Sequence, residues 1–319
     1  MVIVVTILLN RLWIYDWYRG ISYQPTMDMA SIRDRLELTE RGRFLFDASQ
    51  PELNDADTFN NNCRQDETEV AVLGCYTVGS IYVYNITDAE LKGIRELTTA
   101  HELLHAVWAR MSNDEKKALQ PVLQQVYKNN LDILQDDIET YDEPERVEEI
   151  FVRAGTEIKI LPSELERYYT DIFVDQDKIV DYYNGYIEVF RMIEERMKVL
   201  TGEMKELSAE IDAFTVDYNR QASQLEADVV SFNSCAEVAG CFRDENEFYA
   251  QRASLMARQN ALVELNAQIN ELIVEYNSRV EEYNANVTES RKLQNLINSN
   301  STISNSTNTN STNIIIIIK

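Results

Sequence analysis

The stretch Thr98-Thr99-Ala100-His101-Glu102-Leu103-Leu104-His105-Ala106-Val107 decides how the chain is read. The chain has two histidines, and both stand here, four residues apart, with Glu102 directly after the first. On an α-helix, residues i and i+4 share one face about a turn apart. Two imidazoles so placed can close on one zinc ion at about 2.0–2.1 Å per bond. Glu102 lies one step round the helix, where a carboxylate can hold an attacking water and take its proton. Leu103, Leu104, Ala106 and Val107 are uncharged and Ala100 is small, so the helix can be buried behind the metal.

His-Glu-Leu-Leu-His resembles the HExxH signature of the zinc metallopeptidases, the zincins. The resemblance covers roughly residues 65–160 and implies His101 and His105 as metal ligands and Glu102 as general base. A catalytic zinc site takes a third protein ligand and keeps a fourth position open. Trp108 and Met111 stand where the longer metzincin pattern would want glycine and histidine, so that branch is excluded. The third ligand is then expected to be a carboxylate from a later helix, as in the gluzincins. Glu145, Glu148, Glu149 and Glu157 all fall on the helix predicted over 145–160. Glu149-Ile-Phe-Val-Arg-Ala-Gly resembles the gluzincin arrangement and favours Glu149. Glu157, about 80° round the helix from it, is the alternative. The pattern departs from the well-known gluzincins at Arg153, which stands where they have an aspartate four residues after the ligand. With no histidine to spare, Tyr168 and Tyr169 are candidate donors to the oxyanion.

Upstream, Thr87-Asp88-Ala89-Glu90 is a capping-box pattern and predicts the active helix from Asp88 to about Met111. Before it, Glu69-Val-Ala-Val-Leu-Gly-Cys75-Tyr and Gly79-Ser-Ile-Tyr-Val-Tyr-Asn-Ile86 predict a hairpin turning at Gly79. Zincins carry an edge strand at this point that pairs with an extended substrate, and the 80–86 strand is expected to border such a groove. Residues 23–60 predict a short helix from Met27 to Leu38 and a compact segment through Phe44, Leu45 and Phe46. Met1-Val-Ile-Val-Val-Thr-Ile-Leu-Leu9 runs through Asn10 and Arg11 into Trp13, Tyr15, Trp17 and Tyr18. Nine residues, eight of them apolar, are too few to span the hydrocarbon core, which takes roughly 20. The aromatic group resembles the belt of a membrane–water interface, so residues 1–22 are read as the outer half of a membrane anchor that continues upstream. Arg11 and Arg19 run against the positive-inside rule if the rest is exported.

Downstream, Ser112-Asn-Asp-Glu115 is a second capping box, and helical segments follow to Tyr141, with Pro121 near the start of one. Pro144 opens the 145–160 helix, and Ser163-Glu-Leu-Glu166 caps one more, ending near Phe173. From about Asp177, Met197, Met204, Ile211, Tyr218 and Leu225 recur every seven residues, with Ile193, Leu200, Leu207 and Phe214 offset. Leu255, Leu262, Ile269, Tyr276 and Tyr283 form a second such run. These seams predict an antiparallel coiled-coil hairpin with arms of about 50 residues, roughly 75 Å each. From Asn298 the chain is almost wholly Asn, Ser and Thr before five isoleucines, a composition that cannot form a core.

A net charge of −24 argues against nucleic acid, which requires a basic stripe. The four cysteines fall into two local pairs, Cys63 with Cys75 and Cys235 with Cys241, without metal-ligand spacing. Two disulfides are the simplest reading, and they place the protein outside the cytoplasm, at the cell surface.

The expectation is a mainly α fold with a small β-hairpin. Its parts are a membrane anchor over 1–22, a zincin-like catalytic domain over 23–174, an antiparallel coiled-coil hairpin over 175–297 and a disordered tail over 298–319. The implied activity is hydrolysis of a peptide or protein substrate with Zn2+ as cofactor. The rival expectation is a non-catalytic envelope scaffold. Its coiled coil would bind a partner or a second copy, and its zinc site would be structural or inactive.

Overall fold

In the computed structural model, residues 11–63, 72–138 and 141–299 are described. The apolar run 1–9, the 69–71 start of the expected first strand and the tail beyond Ser299 lie outside them. The chain divides into two units, residues 1–191 with 291–319, and residues 192–290.

The first unit opens with α1 (Arg11–Ser22), α2 (Met27–Arg35) and α3 (Glu40–Ser49). Thr26 and Thr39 start α2 and α3 by accepting hydrogen bonds from the Met29 and Gly42 amides. α2 stops short of Leu38 because Glu37 turns left-handed at φ 48°. α3 occupies what the sequence suggested as a compact segment. A short strand, β1 (Glu52–Asn54), and α4 (Ala56–Asn62) follow. Cys63 at the end of α4 is disulfide-bonded to Cys75.

β2 (Gly74–Thr77) and β3 (Ser80–Tyr84) form the expected hairpin. Val78 and Gly79 both have positive φ, 51° and 81°, the conformation of a two-residue turn that matches the strand twist. The sheet order is β1-β3-β2, with β1 parallel to β3 and β2 antiparallel to it. This corrects one expectation: β3 is the middle strand, paired with β2 along Ser80–Val83 and with β1 along Tyr82–Tyr84, so it is not the edge strand that would take an extended substrate. The edge is β2.

The helix of the two histidines is α5 (Ile94–Arg110). Asp88 caps only a 3-10 turn over Ala89–Leu91, and α5 starts after Gly93, whose φ of 94° interrupts the helical path. Ser112 forms the predicted reciprocal capping box with Glu115 and starts α6 (Asn113–Asn129). Pro121 lies inside α6 and opens no helix of its own. α7 (Leu131–Ile138), α8 (Glu143–Glu157, with Pro144 in its first turn) and α9 (Ser163–Thr170) complete the unit's short helices. Pro162 holds the N-cap position of α9, so Ser163 caps nothing and its hydroxyl turns to Glu164. Ile81 and Val83 of β3, Ala100, Leu103 and Leu104 of α5, and Phe151, Val152 and Ala154 of α8 make one buried core with Tyr169 and Phe173.

No helix among the described residues is long and apolar enough to cross a membrane. Residues 11–22, expected within an anchor, form α1, whose Asp16 is buried against Arg110 of α5.

Two long helices carry the heptads, α10 (Gln176–Ala236, 61 residues) and α11 (Glu245–Ile297, 53 residues), about 90 and 80 Å long. Within the second unit they run antiparallel: Arg196 pairs with Glu282, Glu203 with Arg279 and Asp228 with Arg258. Leu200, Leu225, Leu262 and Ile269 are buried along the seam, and Cys235–Cys241 closes the turn.

Candidate metal centre

α5 and α8 pack face to face, and Gly155 permits the approach. A Cβ there would stand 2.5 Å from both Leu104 Cδ1 and Tyr169 Cε1. His101, His105 and Glu149 meet between the helices, one ligand atom of each lying within 4.8 Å of the others. His101 Nε2 faces Glu149 Oε1 at 3.6 Å, and His105 Nε2 faces Glu149 Oε2 at 3.4 Å. These distances are too long for good hydrogen bonds. They are close to the roughly 3.3 Å that separates two ligand atoms of a tetrahedral zinc site.

The unsatisfied atoms point the same way. Both ring nitrogens of His101, both carboxylate oxygens of Glu102 and Oε1 of Glu149 are buried without a hydrogen-bond partner. Each such atom costs about 1–3 kcal/mol, and a cation among them would offset that. Two imidazoles and a carboxylate are a zinc donor set. The residues therefore fit the ion that the motif implies.

Glu148 orients one of the two imidazoles. Its Oε1 lies 2.8 Å from His105 Nδ1, which leaves His105 Nε2 directed at Glu149. A carboxylate there fixes the tautomer and orientation of a metal-binding imidazole. The sequence marked Glu148 only as one possible ligand. Adjacent helical residues lie about 100° apart, so Glu149 and Glu148 can reach the two nitrogens of one ring from either side.

Electrostatics separates His101, His105 and Glu102. Burial holds the His101 imidazole well below the usual histidine range, helped by the charges of His105 and Arg153. Burial would lower His105 as well, but the hydrogen bond to Glu148, the nearby Glu149 carboxylate and the charge of Glu102 outweigh it and push it up to about 10. Burial raises Glu102 well above an ordinary carboxylate. His105 opposes that shift, Glu149 and Glu148 add to it, and the Tyr76 amide, short of a full hydrogen bond, offsets a little.

Glu157 is drawn elsewhere. Arg153 donates from Nε and Nη2 to its two oxygens at 2.9 Å each. Two turns beyond Glu149 is about 12 Å along the axis, too far to serve the same ion. Arg153, at the position that breaks the gluzincin pattern, also reaches the Ile133 carbonyl at 2.8 Å. The Tyr169 hydroxyl donates to the Phe151 carbonyl at 2.6 Å in the core, so it has no proton left for an oxyanion. Tyr168 packs its ring on Phe151 and accepts from Arg167.

One strand touches the site. A Cβ on Gly74 would stand 2.6 Å from Thr98 Cγ2 and 2.8 Å from Glu102 Cγ and Oε1. β2 therefore lies directly on Glu102, and only glycine fits at the contact. Among the described residues, the other edge of β2 pairs with no strand. Compared with protein-family models, curated proteins and solved structures, the chain matches none.

Proposed function

We propose that the protein is a zinc-dependent metallopeptidase in which His101, His105 and Glu149 hold the ion and Glu102 is the general base. The observation that carries this reading is the convergence of three ligand atoms within 4.8 Å beside a buried carboxylate with no partner. When bound, zinc would polarise a carbonyl oxygen and lower the pKa of a water towards about 7. Glu102 takes the proton of the attacking water and delivers it to the leaving amine. Glu148 keeps His105 in the tautomer that binding needs. A peptide added to the free edge of β2 by main-chain hydrogen bonds would run past Gly74 and so past Glu102. The zincin-like fold belongs to the same proposal: a small sheet with its edge along the histidine helix, and a second helix bringing the glutamate. The two disulfides support an oxidising compartment outside the cytoplasm.

A scaffold with a structural or inactive zinc site is the second reading, and burial favours it. His101 and Glu102 are fully buried and Glu149 nearly so, while the His105 side chain is 16% exposed. Zinc content and casein hydrolysis, measured on wild type and Glu102→Gln, separate the two. The peptidase reading expects about one zinc per chain in both proteins and hydrolysis in the wild type alone. Zinc without hydrolysis in the wild type would leave the scaffold.

A further inference from the structure

α1 is built with its polar side inward. Asp16 accepts from Arg110 Nε at 2.8 Å and Nη2 at 2.9 Å, and Arg110 also donates to the Tyr76 hydroxyl of β2 at 3.0 Å. Arg19 donates to the Ala48 carbonyl at 2.7 Å and to Ser80 Oγ of β3 at 2.8 Å. The helix is thus fastened at two points, to the end of α5 and to the hairpin. Its apolar side chains are left outside: Trp13, Trp17, Tyr18 and Ile21 are 60%, 48%, 65% and 62% exposed, with Ile14 between them. At about 100° per residue, these five positions share an arc of about 140° opposite Asp16 and Arg19.

We infer that this face docks on the interface of a zwitterionic lipid bilayer. Three observations select that occupant. Trp and Tyr with aliphatic neighbours make the composition of the headgroup boundary, where rings bury their bodies and keep a polar edge wet. The sequence before the helix, Met1 to Leu9, is apolar throughout except Thr6, so an insertable segment stands one residue, Asn10, from its start. A net charge of −24 opposes both a second copy of the chain and an anionic surface. The mode is a helix lying in the interface plane. Because Arg110 and Tyr76 belong to α5 and β2, the bilayer would hold the metal centre and the edge strand in one orientation. The lipid docking stands whether or not the centre hydrolyses peptides.

The chain has three tryptophans, of which Trp108 is buried in the core and reports nothing at the surface. The test is tryptophan fluorescence of the full wild-type chain with phosphatidylcholine vesicles, using brominated lipids as quenchers from the bilayer and iodide from water. The expected result is lipid quenching with loss of iodide quenching, both absent from Trp13→Phe/Trp17→Phe, which keeps Trp108. Trp13→Ser/Trp17→Ser should weaken vesicle partitioning at least about tenfold. Vesicle binding that leaves iodide quenching of Trp13 and Trp17 unchanged would overturn the proposal, since residues 1–9 would then bind alone. Protection from iodide without lipid would overturn it too. Loss of that protection on dilution would assign the face to a second copy, and loss on removing Ile314–Ile318 to the chain's own tail.

Discussion

Zinc binding to the metal-free protein should expel protons, and the number follows from His105. Its imidazole is pushed up to about 10 by Glu148 and Glu149 against the opposing effect of burial, so it is charged at neutral pH. A metal ligand must be neutral. From about pH 6.5 to about 10, each pH unit should therefore tighten zinc binding tenfold, or ~1.4 kcal/mol, and above that range the slope should vanish. His101, held low by burial, adds nothing in this window. Burial raises Glu102 above the ordinary carboxylate range, and an incoming cation would act against that shift. The sign for the metal-free fold is opposite. A pKa raised in the folded state stabilises fully below the unfolded value of 6.5, and that contribution is lost as pH rises through about 10. The thermal midpoint should thus fall with pH without zinc, and the gap to the loaded protein should widen. Calorimetric titration of the metal-depleted full chain, in two buffers of different ionisation heat at pH 7 and pH 8, counts the protons directly. Glu102→Gln isolates the His105 proton. Glu148→Gln should reduce proton release at pH 8 and weaken zinc about tenfold, the lower end for such a partner because Glu148 is partly exposed. An affinity independent of pH over this range, with no proton released, would refute the assignment of His105 as a ligand.

Glu149→Ala should abolish stoichiometric zinc in metal analysis. Glu157→Ala should instead keep zinc while losing about 3–5 kcal/mol in denaturant unfolding, because Arg153 would be left buried without its carboxylate. Gly74→Ala drives a methyl into Glu102 and Thr98, so casein hydrolysis should fall at least about a hundredfold with zinc content unchanged. Gly155→Ala pushes α8 from α5 against Leu104 and Tyr169, and should cost about 1–3 kcal/mol and weaken zinc binding together.

What could be read from the sequence depended on the distance over which each signal acts. His101 and His105 declare a shared face because four residues on one helix are a local geometry that tertiary structure leaves intact. The heptad positions and the Ser112 capping box are local in the same sense, and the buried Leu200, Leu225, Leu262 and Ile269 follow the seam. Glu149 was legible only through resemblance, since nothing within α8 distinguishes it from Glu145 or Glu157. What separates them is position against α5, and that is set by Gly155 and by Arg153 drawing Glu157 away. The edge strand was misplaced for a similar reason. β1 is three residues long, too short to show an alternating pattern, yet its pairing with β3 moves the free edge to β2. Pro121 and Gly93 make the converse point. A proline signals a helix start and a capping box signals a helix before Gly93, but buried Leu119 and Leu123 hold α6 through Pro121, and a left-handed glycine delays α5 by a turn. At α1 the apolar face suggested a span, and only the Asp16–Arg110 pair, 94 residues apart in sequence, turns that face outward and makes it a surface.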